Sequence, residues 1–286
     1  MSLENSDQLL RWGAEQLDQA GIEDGLLQAR RLLAFALFAD SYETSALLNS
    51  QPDKQDAAKF KTLIASRVQR IPLQHIVGET GFMRLVLKTD ARALIPRDDT
   101  SEVVLLAMDK LGGEKDRNWK IADLGTGSGA ILSALLDDLP NAHGIAVEQS
   151  AAAMSLAEEN FETLGFLPRI ALFKDSWENW AGWNECDLIV SNPPYIESAV
   201  LSTLQPEVRE HDPVDALDGG VDGLDAYRQI IGLAETSMRP GAWLVLEIGH
   251  DQKEAVTKLL EGANFAAITH ARDLGGNDRA IAARKV

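Results

Sequence analysis

A chain of 286 residues that is 45% hydrophobic is long enough for one large or two medium domains, each with its own core. Its formal net charge of −17 is uneven. Residues 1–70 carry 8 Lys/Arg and 10 Asp/Glu, leaving 19 against 34 for the rest, a net −15 that repels phosphate backbones and counts against a nucleic-acid substrate.

No apolar run approaches the ~18 residues of a membrane span, and no basic segment followed by an apolar one marks a leader. The lone Cys186 cannot form an internal disulfide and suits the core of a protein in a reducing cytosol. The five His are scattered, without metal-ligand spacing. The expectation is a cytoplasmic protein with no membrane segment and no metal.

The first elements are helical. Residues 6–20 recur in Leu at helical spacing, with Ser6 placed to cap the helix and Gly21 to stop it. A second helix is expected over Glu23–Ala39, and a third from Pro52 and Asp53 to about Arg70, together a small bundle. This bundle is either a structural cap or a docking surface for a macromolecule. Ile71-Pro72 ends it. Two extended runs, His75–Val77 and Phe82–Leu87, flank Gly78–Gly81 and suggest a hairpin linker over 71–96. A helix over Asp98–Leu111 follows, closed by Gly112-Gly113.

From Lys120 strands and helices alternate, the pattern of a parallel α/β sheet. The run Ile121–Leu124 reads as a strand, Gly125-Thr126-Gly127-Ser128-Gly129 as the turn, and Ala130–Leu139 as the next helix. Glycines let a ligand approach the backbone closely, and a helix start offers free N–H groups. The next strand, Gly144–Val147, ends in Glu148, an acid placed to accept hydrogen bonds from ribose hydroxyls. These features imply a nucleoside-containing cofactor. They do not say which: Gly125, Gly127 and Ala130 also fit the dinucleotide pattern, so NAD stays open, as does a tight turn with no ligand.

Next come a helix over Ala151–Leu164, a strand over Ile170–Phe173, and then Asp175 and Trp177, where an adenine could rest if Trp177 is not simply core. Residues 197–222 form a long polar stretch, of a length that in compact domains tends to serve as a lid. Helices over Leu224–Met238 and Lys253–Gly262 and a strand over Ala242–Glu247 follow. Phe265–Ala271 and Ala280–Ala283 are expected to close the sheet as an antiparallel hairpin.

One stretch carries chemistry of its own. Asp187–Val190 is a strand-like apolar run, and Asn192-Pro193-Pro194-Tyr195 stops it, because neither proline has an N–H for a ladder. Asn192 should therefore sit at the carboxyl end of a buried strand, where open α/β sheets bind ligands. The Asn192 oxygen and nearby carbonyls can accept both hydrogens of a planar amino or amide group, and the Tyr195 ring can stack on it.

Taken together, Ile95-Pro96-Arg97, the Asp123–Ala130 loop, Ser191–Ile196, Glu207-Val208-Arg209, Gly219–Leu224, Glu247-Ile248-Gly249 and Arg272–Leu274 with Asp278-Arg279 resemble the class I S-adenosylmethionine-dependent methyltransferases. More narrowly, they resemble the peptide chain release factor glutamine N5-methyltransferases, from about residue 71 to the end. The resemblance implies a Rossmann-like, mostly parallel sheet over 97–286 and a helical substrate-docking domain over 1–70; a monomer is expected, though the sequence itself does not give oligomeric state.

It also implies that Gly125, Thr126, Gly127, Ser128 and Gly129 hold the methionine end of S-adenosyl-L-methionine, Glu148 the ribose and Trp177 the adenine, with Asn192 reaching both ligands. Asn192, Pro193 and Pro194 would orient the substrate amide and Tyr195 would flank it; Asn192, Pro193 and Tyr195 are the implied catalytic set. The implied partner is a release factor whose Gly-Gly-Gln loop is inserted. This chain has Glu148 where the family usually has Asp, and Asp98 and Ser101 where it often has Pro and Glu. Other readings are adenine N6-methylation of nucleic acid, disfavoured by the charge, glutamine methylation of a ribosomal protein, and a non-catalytic nucleotide-binding module.

Overall fold

The computed structural model describes residues 5–286, the side chains of residues 48 and 49 excepted. The chain forms two compact units. One runs to Glu79 and includes Gln205–His211; the other is Thr80–Leu204 with Asp212–Val286.

The first unit is helical: α1 (Ser6–Gln19), α2 (Gly25–Phe38), α3 (Lys54–Val68) and a single turn, α4 (Leu73–Val77). Reciprocal caps set two of the starts. Asn5 and Gln8 exchange side-chain and backbone bonds at α1, and Asp53 and Asp56 do so at α3, each cap being worth about 1 kcal/mol. Ser6 was the expected cap of α1. It lies one position inside the helix because the extended Asn5 takes the cap, and its hydroxyl instead donates to the Ser50 carbonyl at 3.1 Å. Leu9, Leu17, Leu32, Leu33, Phe60 and Ile64 form the core. A Cβ on Gly13 would stand 2.6 Å from Phe60 Cζ, so the bare backbone there is what lets α1 lie against α3.

Residues His75–Val77 are not extended. Pro72 opens α4, and Gly78 closes it in the left-handed region at φ +82°; an apolar run this short suits either state, and the flanking residues decide. The hairpin starts later, as β1 (Glu79–Phe82) and β2 (Leu85–Lys88).

The short helix α8 (Pro206–His211) belongs to this unit although it is far away in the chain. Glu207 ties it in, receiving Arg67 at 2.7 Å and Arg70 at 2.8 Å, one on each carboxylate oxygen.

The second unit is a seven-stranded sheet. Its strands are β3 (Lys120–Leu124), β4 (His143–Val147), β5 (Ile170–Phe173), β6 (Leu188–Ser191), β7 (Trp243–Glu247), β8 (Phe265–Arg272) and β9 (Asp278–Lys285), in the spatial order β5-β4-β3-β6-β7-β9-β8. The five strands from β5 to β7 are parallel, and β9 pairs antiparallel with both β7 and β8, the closing hairpin expected from sequence.

Side chains alternate across this sheet, as the two-residue period of a strand demands. Ile121, Leu188, Val190, Val245 and Ala282 face a core shared with α5 (Ser101–Lys110), α6 (Ala130–Asp138) and α7 (Ala151–Thr163). Ala122, Leu124, Ile189, Leu244, Leu246 and Ile281 face another, shared with α9 (Asp225–Ser237) and α10 (Lys253–Gly262). With helices on both faces, the central strands read as near-continuous apolar runs. Cys186 is buried in the second core, and burial pushes its thiol up to about 12.

The polar stretch over 197–222 is not a structureless loop. It holds helical turns at Leu201–Thr203, α8 and Val214–Ala216, and Ile196 pairs with Asp218 as a parallel bridge. A Cβ on Gly219 would stand 2.8 Å from Tyr195 Cα, so glycine is what allows this stretch to lie against the Asn-Pro-Pro-Tyr turn. Among the described residues, no helix is long and apolar enough to cross a membrane.

Candidate active site

Strand β3 lies between β4 on one side and β6 on the other. The chain direction of winding reverses here, and such a switch point opens a crevice at the carboxyl ends of the strands. A cavity of about 880 Å³ opens at this point, wholly within the second unit. Its wall includes Gly125–Ser128 after β3, Glu148 after β4, Asp175 and Trp177 after β5, and Asn192 and Pro194 after β6. Residues expected on separate strand ends therefore share one space. The 197–222 stretch adds Pro213, Asp215, Ala216, Asp218 and Gly220 to the wall, and α9 adds Asp225 and Gln229.

The glycine loop is held by two acids. Gly125 and Gly127 adopt φ of +67° and +57°, a region L side chains rarely enter. The Thr126 hydroxyl donates to Asp123 Oδ2 at 2.7 Å. Asp123 is buried, and burial pushes its carboxyl up to about 7. Glu148 clasps the loop from the other side: Gly127 N–H donates to its Oε2 at 3.0 Å and Ser150 N–H to its Oε1 at 2.8 Å. A carboxylate accepts about four bonds, so two backbone bonds leave capacity for hydroxyls. Gly129 does not line the cavity. Its φ is +84°, and a Cβ there would stand 2.6 Å from the Phe161 ring, so packing by itself accounts for that glycine.

Trp177 packs partly against the core, and its Nε1 is buried without a hydrogen-bond partner. The ring edge lies over the loop: a Cβ on Gly125 would be 3.4 Å from Trp177 Cζ3. An indole N–H left without a partner beside a polar cavity is a group a ligand could satisfy.

At the other end, Asn192 Nδ2 donates to Thr100 Oγ1 at 3.4 Å. This leaves the carboxamide oxygen as the free end. Pro193 is buried and Tyr195 does not line the cavity. The Tyr195 hydroxyl donates to Glu247 Oε1 at 3.2 Å, and its carbonyl accepts from Gln252 Nε2 at 2.9 Å. Burial and then the neighbouring Glu247 charge raise the Tyr195 hydroxyl well above its ordinary range, so it stays protonated. Glu247 and Thr100 did not stand out in the sequence as site residues. An acid at the carboxyl end of a buried strand, the signal that picked out Glu148, applies equally to Glu247.

Charge on the cavity wall is mostly negative: Glu148, Asp175, Glu178, Asp215, Asp218 and Asp225 against Arg92 and Arg97. Arg97 is engaged by Asp212 at 2.7 Å, and Arg92 by Asp90 and Glu159. Such a wall suits a cationic ligand and repels a polyphosphate.

Comparison with known proteins agrees with this geometry. The family model described as PrmC N-terminal domain matches residues 8–78, and the Methyltransferase small domain matches residues 96–206. The chain is 40% identical to the release factor glutamine methyltransferase of Cereibacter sphaeroides over 276 residues, 96% of each chain. It is 38% identical to that of Geobacter sulfurreducens over 276 residues, 96% of this chain and 95% of the relative. Among solved structures, the hMettl16 catalytic domain in complex with an RNA hairpin is similar in fold, with a TM-score of 0.58 at 15% identity, covering 78% of this chain and 82% of that one. With relatives this similar along nearly their whole length, the chain belongs to the release factor glutamine methyltransferase family.

Proposed function

We propose that this protein transfers the methyl group of S-adenosyl-L-methionine to the side-chain amide nitrogen of the glutamine in the Gly-Gly-Gln loop of a peptide chain release factor, in the cytosol. The observation that carries this reading is that Gly125–Ser128 of the glycine loop and Asn192 and Pro194 of the acceptor turn open into one cavity. The residues present fit the cofactor. Gly125 and Gly127 expose bare backbone, Glu148 has acceptor capacity beyond its two loop bonds, the Trp177 N–H lacks a partner, and the acidic wall suits a sulfonium.

When bound, that sulfonium supplies an activated methyl group, so the protein's task is to prepare the acceptor. An amide nitrogen is a poor nucleophile because its lone pair is delocalised. The Asn192 oxygen and the carbonyls of the turn would accept the two amide hydrogens, fixing the plane of the group. Those bonds strengthen as positive charge grows on nitrogen, which is stabilisation specific to the transition state. Pro193 and Pro194, which have no N–H, stiffen the turn, so little reorganisation is needed when the substrate arrives. Tyr195 acts through Glu247 on the rear of the turn. The helical unit would dock the body of the release factor.

The test is radiolabelled methyl transfer to purified release factor, ribosomes and DNA side by side. Label is expected on release factor alone, and it should disappear when the loop glutamine of the factor is replaced by alanine. Label on ribosomes or DNA at comparable rates would refute the assignment.

A further inference from the structure

An amide can be turned end for end with almost no change of shape, so the acceptor turn needs something to decide which end of Asn192 faces the cavity. The register supplies a neighbour. Ser191 of β6 pairs with Leu246 of β7, so Asn192 and Glu247 follow side by side at the strand ends. Thr100, from the turn Asp98–Thr100 ahead of α5, accepts from Asn192 Nδ2 at 3.4 Å and is near enough to Glu247 to act on its carboxyl. All three are shielded: Thr100 is 4% exposed, Glu247 is 2% exposed, and Asn192 is partly buried. Glu247 Oε1 already accepts the Tyr195 hydroxyl, whereas Oε2 is buried without a hydrogen-bond partner. A buried acceptor with capacity to spare thus stands against a hydroxyl with a hydrogen to give.

We propose that Glu247 is a positioning residue for the reaction: its carboxylate takes the Thr100 hydrogen, so that Thr100 can only accept from Asn192 and the Asn192 oxygen is turned to the cavity. The inference rests on the function proposed above and deepens it. A hydroxyl has one donor and two acceptor positions. An ionised carboxylate can only accept, so it fixes the direction of the hydroxyl. Once fixed, Thr100 offers lone pairs to Asn192 and binds the NH2 end of the carboxamide, which matches the observed Nδ2 to Oγ1 contact of 3.4 Å. A protonated Glu247 would itself donate to Thr100. The Thr100 hydrogen would then be released toward Asn192 and favour the opposite end, which removes the acceptor from the cavity.

The ionisation of Glu247 is accordingly a switch on the acceptor turn. Burial pushes its carboxyl up to about 7 and the Asp99 charge adds to the rise, while Thr100, Tyr195 and Arg279 act in the other direction. Tyr227 also faces it and donates to its backbone carbonyl at 2.9 Å.

Three measurements on the full-length protein test this. First, kcat for release factor methylation at saturating cofactor should rise between pH 6 and pH 8 with a midpoint of about 7, and Glu247→Gln should flatten that rise. Second, Thr100→Val should lower kcat by about tenfold, the worth of one hydrogen bond, with S-adenosylhomocysteine affinity unchanged, and Thr100→Ser should restore it. Third, the Asn192 side-chain amide resonances should titrate with the same midpoint in the wild type and not in Glu247→Gln, a readout independent of turnover. A wild-type kcat that is flat over this range, Asn192 resonances that do not titrate, or Thr100→Val at the wild-type rate would each overturn the inference and leave the methyl transfer reading standing. No transfer by the wild-type protein would sink both.

Discussion

Replacing Glu148 tests the cofactor end of the site most directly. Its two carboxylate oxygens each hold one backbone N–H, Gly127 at 3.0 Å and Ser150 at 2.8 Å, and both of those residues line the cavity. Glu148→Ala therefore removes two things: the acceptor expected for the ribose hydroxyls and one clasp of the glycine loop. A hydrogen bond to a charged group is worth roughly 1.5–3 kcal/mol, which corresponds to a loss of about ten- to a hundredfold in cofactor affinity. Glu148→Gln separates the two contributions. It keeps shape and one acceptor oxygen, but its NH2 must face either the Gly127 or the Ser150 N–H, donor against donor. If the loop clasp matters, Gln should bind almost as poorly as Ala; if only the ribose matters, Gln should be intermediate. Calorimetry with S-adenosylhomocysteine measures both. With saturating cofactor, kcat should change by no more than about threefold, because these bonds exist in ground and transition states alike. Affinity within twofold of wild type in both variants would refute the reasoning.

Asn192→Ala should lower kcat on release factor by about 10²–10³ while calorimetric affinity for S-adenosylhomocysteine stays close to wild type; turnover retained in both Asn192→Ala and Asn192→Asp would show that this side chain is not part of the reaction. Glu207→Ala should destabilise the helical unit by about 1–3 kcal/mol, since Arg67 keeps only its bonds to Gln28 and the Ile71 carbonyl, and denaturant melts measure the loss. Burial alone would raise the Glu207 carboxyl, but Arg67 and then Arg70 bring it below its ordinary range. Its stabilisation is therefore complete above the unfolded value of about 4.3 and lost as pH falls through the lowered native value, so wild type and Glu207→Ala should converge in acid. A chain lacking residues 1–79 should bind cofactor yet methylate intact release factor poorly, and a soluble truncation working at the full rate would remove the docking role of the helical unit.

Much of the molecule is determined by local sequence. The helices follow from Leu spacing and polar caps, and the central strands from short apolar runs that need burial on both faces. The site is partly legible for the same reason. The Gly125–Gly129 turn, the acid Glu148 and the ladder-stopping prolines after Asn192 each mark the carboxyl end of a strand, and parallel strands gather their carboxyl ends along one edge. That the loop, the acid and the acceptor turn share one cavity follows from β4, β3 and β6 being neighbours in the sheet.

The tertiary structure decided what depends on partners distant in the chain. The capture of α8 by Arg67 and Arg70 joins groups 140 and 137 positions apart, and no local pattern in 197–222 announces it. Gly129 reads as part of a ligand loop until Phe161 is seen against it. His75–Val77 could be strand or helix by composition, and Pro72 with Gly78 settled it as a turn of helix. The Tyr195 hydroxyl points to Glu247 because β7 lies beside β6 in the sheet, and Asn192 reaches Thr100 from 92 positions away in the chain. Sequence periodicity says which face of an element is buried; it does not say which strand becomes the neighbour, and a hydrogen bond between side chains on two strand ends exists only once that neighbour is chosen.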